Sequence, residues 1–256
     1  RKSLLILSEN IEISATIVVY NEDLETLQKT IDCFLKTPLL KKLYLVDNSP
    51  TNKLKDNFKH SEIEYIFNEK NLGFGKAHNL VISKLKSKCH LILNPDVTFN
   101  PQVLPNLINE IKKKEIVSMI SPKIIYPNGS IQYYCRKYPS FSELIYRRLG
   151  LFKSKTHLSE YRNLDVSKSF YPESMHGCFM LFKTQDFIKI KGFDERYFLY
   201  MEDIDICKKI DGINKKKMYY PNVTIEHLHR RGSAQKIKLL FYHLLSARKY
   251  FKKWKN

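Results

Sequence analysis

The stretch LILNPDV, residues 91–97, drives an apolar run through Leu91, Ile92 and Leu93 straight into Asn94, Pro95 and Asp96. Asn, Pro and Asp are turn formers, so the acid could be turn chemistry. The carboxyl end of a strand is also where open α/β sheets hold ligands, and there Asp96 would serve as a metal or phosphate-side ligand. A second acidic group lies in GFDERYFLYMEDIDICKKI, residues 192–210, with Asp194, Glu195, Glu202, Asp203 and Asp205. Its ordinary explanation is an acidic first helical turn, which the helix dipole favours. The apolar run Tyr197, Phe198, Leu199, Tyr200, Met201 just before three of these acids speaks against a merely solvated face. Such neighbours desolvate a carboxylate, raise its pKa and make it a base near neutral pH.

His227 and His229, in IEHLHRRGS, are two apart and on a strand would face the same side. With Asp96, one of them could complete a divalent-cation site; surface or hydrogen-bonding histidines show the same spacing. In NLGFGKAHN, residues 71–79, position 78 is His where a dinucleotide fingerprint needs Gly, and the chain has no GxxxxGK[ST] loop. Gly73 and Gly75 at a helix start still permit close backbone approach to a ligand, and Lys76 adds positive charge.

These residues need elements to hold them. ISATIVVY, residues 13–20, reads as a buried strand, followed by Asn21 and a helical pattern through Leu24, Leu27, Ile31 and Phe34. KLYLV, residues 42–46, is a second strand closing in Asp47, Asn48 and Ser49, and Ile63–Phe67 a third. NLGFGKAHN opens a helix expected to run to about Leu85. A fourth strand spans His90–Leu93, a helix Gln102–Lys114 and a strand Val117–Ile120. Strand and helix alternate with short connections, which predicts an α/β fold with a parallel sheet covered by helices. Asn21, Asp47 and Asp96 each follow a strand, and in such a sheet the three would share one edge, a ligand cleft. Residues 130–175 read as loops with one amphipathic helix, and HGCFMLFK as a strand leading into a helix through Phe187 and Ile190.

At 256 residues and 43% hydrophobic, the chain is long and apolar enough for one well-buried domain. No run of about 18 apolar residues marks a membrane span, and RKSLLILSENIEIS lacks the features of a signal peptide. Five scattered cysteines without a CxxC read as reduced thiols of a cytoplasmic protein. Residues 207–256 hold 14 Lys or Arg against two acids. Such a basic tail points to a polyanion, either nucleic acid or an anionic membrane surface. In the tail, Ile237, Leu240, Phe241, Leu244, Ala247, Phe251 and Trp254 fall at helical spacing. The expectation is a basic amphipathic helix over 236–256, its stripe packed on the domain or its lysines facing lipid.

TIVVYNE, LYLVDNS, NLGFGKAHN, LILNPDV and GCFMLFK continuing through GFDERYFLYMEDIDIC, with YYPNVTIEHLHRRGS closing, stand in this order over residues 13–235. Together they resemble the family 2 glycosyltransferases, in the rhamnosyltransferase-like branch. The resemblance implies a GT-A fold over 1–235, with a Rossmann-like nucleotide-sugar half to about 125 and an acceptor half beyond it. It also implies a nucleotide-sugar donor of the dTDP or UDP type, Mg²⁺ or Mn²⁺, and inversion at the anomeric carbon. Matched residue by residue, Val19, Tyr20 and Asn21 border the nucleotide, Asp47 with Asn48 meets the base, and Gly73 and Asn79 line the ribose and diphosphate side. Asn94 stands where many relatives carry a first acid and offers an uncharged carbonyl oxygen. Asp96 becomes a metal ligand with His227, His229 being second choice; Asp203, paired with Glu202, becomes the general base, and Gly177 a substrate-binding residue. His176 stands where relatives often have Ser. The implied acceptor is a saccharide or lipid-linked saccharide of a surface polysaccharide, with the enzyme at the inner face of a bacterial plasma membrane. The rival readings are a nucleic-acid-binding module, which leaves the acidic cleft unexplained, and a nucleotide-sugar-binding protein without catalysis.

Overall fold

A computed structural model of the chain describes residues 11–148, 152–228 and 237–254. His229 and the first ten residues, on which the second-choice ligand and the leader reading rest, lie outside these. An eight-stranded sheet holds β1 (Ile13–Val19), β2 (Lys41–Asp47), β3 (Ile63–Phe67), β4 (Cys89–Leu93), β5 (Val97–Phe99), β6 (Val117–Ile125), β9 (Phe179–Lys183) and β10 (Lys216–His227). Their order across the sheet is β3-β2-β1-β4-β9-β6-β10-β5. β1, β2, β3 and β4 pair in parallel, as do β6 and β10; β9 runs antiparallel between β4 and β6, and β5 antiparallel on β10. β9 therefore stitches the two halves into one sheet. The parallel strands all deliver their carboxyl ends to one edge, and β9 begins there. The fold is α/β of the GT-A type, with a mostly parallel sheet between helices.

The helices are α1 (Leu24–Leu35), α2 (Phe74–Asn79), α3 (Val103–Lys113), α4 (Phe141–Arg148), α5 (Lys153–Ser159), α6 (Thr184–Lys189), α7 (Glu202–Asp211) and α8 (Ile237–Lys253). α1 starts on Asp23, whose carboxylate accepts the Thr26 N–H at 2.9 Å, and its Leu27, Ile31 and Phe34 recur at helical spacing to bury against the sheet. A short ribbon of β7 (Cys135–Arg136) and β8 (Ser174–Met175) lies outside the main sheet.

Four boundaries differ from the sequence expectation. The helix opened by NLGFGKAHN ends at Asn79 rather than near Leu85, and a 3₁₀ turn follows at Ile82–Lys84. Val81 and Ile82 are β-branched, and the Asn79 amide binds the Phe193 backbone, all of which disfavour a continued helix. β6 runs on past Ile120 through Pro122 to Ile125, because the missing proline N–H falls where β10 shifts register between Tyr220 and Thr224. The described residues of 130–175 form two helices and both strands of the β7–β8 ribbon rather than one helix among loops. Finally, the stripe on α8 is split: Ala247 packs with Ser246 and Tyr250, whereas Ile237, Phe241 and Leu244 are 88%, 58% and 57% exposed.

Candidate active site

Because β1, β2 and β4 are parallel neighbours, Asn21, Asp47 and Asp96 leave the sheet over one edge. β10 brings His227 there as well. Its antiparallel register with β5 sets His227 opposite Val97, and the Leu228 N–H donates to the Asp96 carbonyl at 3.1 Å. His227 Nε2 lies 3.3 Å from Asp96 Oδ1, with the side chains only 5% and 11% exposed. Gln132 fixes the ring. Its amide nitrogen donates to the His227 carbonyl at 2.6 Å, leaving its oxygen 3.0 Å from Nδ1. A carbonyl only accepts, so this orientation puts a proton on Nδ1 and turns Nε2 toward Asp96. Burial opposes a charge on the imidazole, but the Cys178 sulfur and the Asp96 carboxylate outweigh it and hold the pKa up at about 10.

The turn bearing Asp96 is pegged from below. The Thr30 hydroxyl, buried on α1, donates to the Pro95 carbonyl at 2.7 Å and accepts the Val97 N–H at 3.2 Å, gripping both sides of Asp96. The Asn94 N–H donates to the Cys178 carbonyl at 2.9 Å. Among the described residues no three His, Cys, Asp or Glu side chains gather as a metal cage. Two converging ligands nevertheless suit Mg²⁺ or Mn²⁺, which are commonly held by one or two protein groups together with substrate phosphates and water. A cation there would displace the proton that His227 shares with Asp96.

The second acidic group stands at the start of α7. Tyr200 and Met201 enter it with φ of 69° and 68°, a left-handed backbone costing on the order of 1–3 kcal/mol per bulky residue. Asp203 is half-buried, and its Oδ1 accepts the Ile204 N–H at 2.8 Å. Burial raises its pKa, with the Ile204 N–H, the Arg136 guanidinium and the Gly177 N–H pulling the other way. Glu202 is buried, and burial together with the neighbouring Asp203 charge pushes its carboxyl well above the usual range. Gly177 packs against the acid: a Cβ there would stand 3.6 Å from the Asp203 Cβ. The consecutive residues Gly177 and Cys178 therefore touch both groups, Asp203 on one side and Asn94 with His227 on the other.

The remaining sequence candidates divide. Tyr20 and Asn21 are exposed at the edge, while Val19 is buried and its carbonyl accepts the Asn48 N–H at 2.9 Å. Asp47 is fully buried: one oxygen accepts the Ser49 N–H at 2.8 Å and the other the Tyr65 hydroxyl at 2.6 Å. Asn48 ties β2 to the next loop, donating to the Gly73 carbonyl at 3.2 Å and accepting from Asn68 at 2.7 Å. Gly73, at φ +82°, lies so close to Phe198 that a Cβ would meet its carbonyl oxygen at 2.2 Å, so the near approach it permits is to the loop before α7. Asn79 binds both the Phe193 N–H and its carbonyl at 2.9 Å, and Lys76 pairs with Glu195 at 3.5 Å. These two residues face that same loop. Sequence reasoning missed Thr30, Gln132 and Cys178; the last stands inside GCFMLFK, where only a strand was expected.

Comparison with known proteins bears on this cleft. The model of the Glycosyl transferase family 2 matches residues 14–183. The rhamnosyltransferase WbbL of Escherichia coli is 27% identical over 226 residues, covering 82% of this chain and 81% of that protein. The N-acetylglucosaminyl-diphospho-decaprenol L-rhamnosyltransferase of Mycobacterium tuberculosis is 28% identical over 178 residues, covering 64% of this chain and 58% of its own length. Among solved structures, GalNAc-T7 with UDP, GalNAc and Mn²⁺ superposes with a TM-score of 0.68 at 19% identity, over 87% of this chain and 44% of that one. The mannosyltransferase PcManGT of Pyrobaculum calidifontis, with GDP-Man and Mn²⁺, gives 0.65 at 15% identity, over 94% of this chain and 64% of that one. At these identities the superpositions establish the fold.

Proposed function

Since the chain belongs to glycosyl transferase family 2, we propose that it is an inverting enzyme. It would move a sugar from dTDP-rhamnose or a UDP-hexose to a saccharide or lipid-linked saccharide acceptor of surface polysaccharide synthesis. The observation that carries this reading is the pair of walls joined through Gly177 and Cys178, a cation-suited pair on one and a raised carboxylate on the other. Asp203 takes the proton of the acceptor hydroxyl as its oxygen attacks the anomeric carbon from the face opposite the leaving diphosphate. Its burial serves that role, since a raised pKa strengthens its pull on a proton. Asp96 and His227 are the residues that would hold Mg²⁺ or Mn²⁺, with the Asn94 carbonyl alongside. Such a cation, when bound, neutralises charge developing on the departing diphosphate. Tyr20 and Asn21 offer exposed side chains to the nucleotide. Asp47, already bound to Tyr65 and Ser49, would meet a base only through a lone pair those donors leave open.

The rhamnosyl donor is supported by the names of the relatives from Escherichia coli and Mycobacterium tuberculosis, and a lipid-linked acceptor by the latter. No helix among the described residues is long and apolar enough to cross a membrane. The exposed Ile237, Phe241 and Leu244 on α8, flanked by exposed Lys238, Arg248, Lys249 and Lys252, suit an anionic lipid surface, where each basic residue adds roughly 1 kcal/mol. We place the enzyme there, peripheral at the inner face of a bacterial plasma membrane. A thermal-shift panel of dTDP-rhamnose and UDP-hexoses with and without Mn²⁺ tests the reading. A donor stabilises the fold only with the metal present if it is correct, and metal-independent binding of every donor refutes the cation site.

A further inference from the structure

α8 does more than present an outer face. Asp205, two residues beyond Asp203 in the first turn of α7, is fully buried. Its Oδ1 accepts the Trp254 indole N–H at 2.7 Å and the Tyr197 hydroxyl at 3.1 Å, while Lys253 Nζ reaches both carboxylate oxygens at 2.7 and 2.8 Å. Lys253 also holds Asp194 at 2.8 Å, Lys249 donates to the Arg196 carbonyl at 2.6 Å, and the Ser246 hydroxyl to the Leu199 carbonyl at 2.8 Å. One helix thereby grips the entry to α7 along its length, from Asp194 to Asp205, across the two left-handed residues. Tyr197, Met201 and Tyr250 form a small apolar cluster separate from the main core, bordered by Ile204, Phe251 and Trp254. The outward side of the first turn of α7 thus rests on α8, whereas Ile206, Cys207 and Ile210 seat the rest of the helix in the main core.

We propose that the last turn of α8 is a positioning element for Asp203, acting through the contacts of Lys253 and Trp254 with Asp205; this rests on Asp203 being the base. A buried ion pair is poor currency for stability, because desolvation cancels much of its attraction. What four hydrogen bonds from three donor groups on one carboxylate supply is a fixed geometry. A base must be held within a fraction of an ångström of its working position, and a misplacement of about 1 Å costs on the order of 10²-fold. The contact makes the helix that carries the basic, partly apolar surface and the helix that carries the base a single unit.

The test replaces both partners together. Asp205→Leu with Lys253→Met leaves no unpaired buried charge but takes the acceptor from the Tyr197 hydroxyl and the Trp254 indole, so the chain should still melt cooperatively, at a somewhat lower temperature than wild type. Release of dTDP from dTDP-rhamnose with Mn²⁺ should then show kcat reduced about 10–10²-fold with donor KM unchanged. Lys253→Arg, which keeps the charge, should recover most turnover. Wild-type kcat in the folded double variant overturns the proposal. Should the double variant fail to fold, Trp254→Phe removes one donor and keeps a ring in place. Faster amide exchange at residues 202–206 with lower kcat supports the clamp, and unchanged exchange and kcat overturn it. Asp203→Asn run beside these separates the two readings: turnover retained there removes the base itself, while an inactive Asp203→Asn beside a fully active double variant removes only the clamp.

Discussion

The two sides of the proposed cleft, one assigned to a cation and the other to the base, are built by different means. On the cation side, Asp96 and His227 are placed by β-sheet register, Thr30 pegs the turn from α1 and Gln132 sets the ring. Beyond the register, these supports are hydrogen bonds beside the residues they hold, from Thr30 on α1 and from Gln132 in the segment before β7. On the base side, Asp203 opens a helix whose approach is strained at Tyr200 and Met201 and whose first turn is gripped by a segment some fifty residues further along the chain. Register is a cooperative property of the whole sheet, since a one-residue slip would turn every side chain to the other face. A helix start held by a few long side chains has no such protection. The comparison teaches that the cation side should tolerate distant changes, and the base side should not.

The largest effect should come from the base itself. Asp203→Asn should lower kcat by about 10²–10⁴ with donor KM little changed, in steady-state assays of diphosphate release. An unaltered kcat would leave the base-side wall without its function. Next, Gln132→Leu frees the His227 ring and should weaken Mn²⁺ affinity about 10–100-fold, followed by the EPR signal of free Mn²⁺ with UDP present. Equal affinity would mean that register alone orients His227. Thr30→Val leaves the buried Val97 N–H and Pro95 carbonyl without their hydroxyl and should cost about 1–3 kcal/mol of stability, read from urea midpoints.

The smallest effect is a pH dependence. Burial raises the carboxyls of Glu202 and Asp203 in the folded chain. Below the ordinary carboxylate range both are neutral whether the chain is folded or unfolded, so no stability is lost there. As pH rises through the raised folded values, the interior must take on charge that the unfolded chain carries freely, and stability falls. Glu202→Gln should flatten that fall in the urea midpoint between acidic and neutral pH; an unchanged slope would assign the cost elsewhere.

Much of the strand-end arrangement was legible beforehand. An apolar run ending in Asn-Pro-Asp reads locally as a strand and its turn, and it is parallel alternation that puts Asn21, Asp47 and Asp96 on one edge together. The acids of YMEDIDIC read equally well as a helix start, because local composition sets both features. What Gly73, Asn79 and Lys76 touch in the folded chain did not follow from sequence. A glycine before a helix looks the same whether a ligand or Phe198 comes near, and only the packed chain shows which does.

Sequence by itself determined most of the strands and helices, the parallel edge and the kinds of side chain delivered to it, since periodicity and strand polarity are local properties of the chain. Tertiary structure decided which of those side chains meet. His227 finds Asp96 only because β10 pairs antiparallel with β5. Gln132 finds His227 across 95 residues, and Asp205 finds Lys253 across 48. Contacts over such separations are fixed when the sheet closes and α8 docks, and no local pattern encodes them.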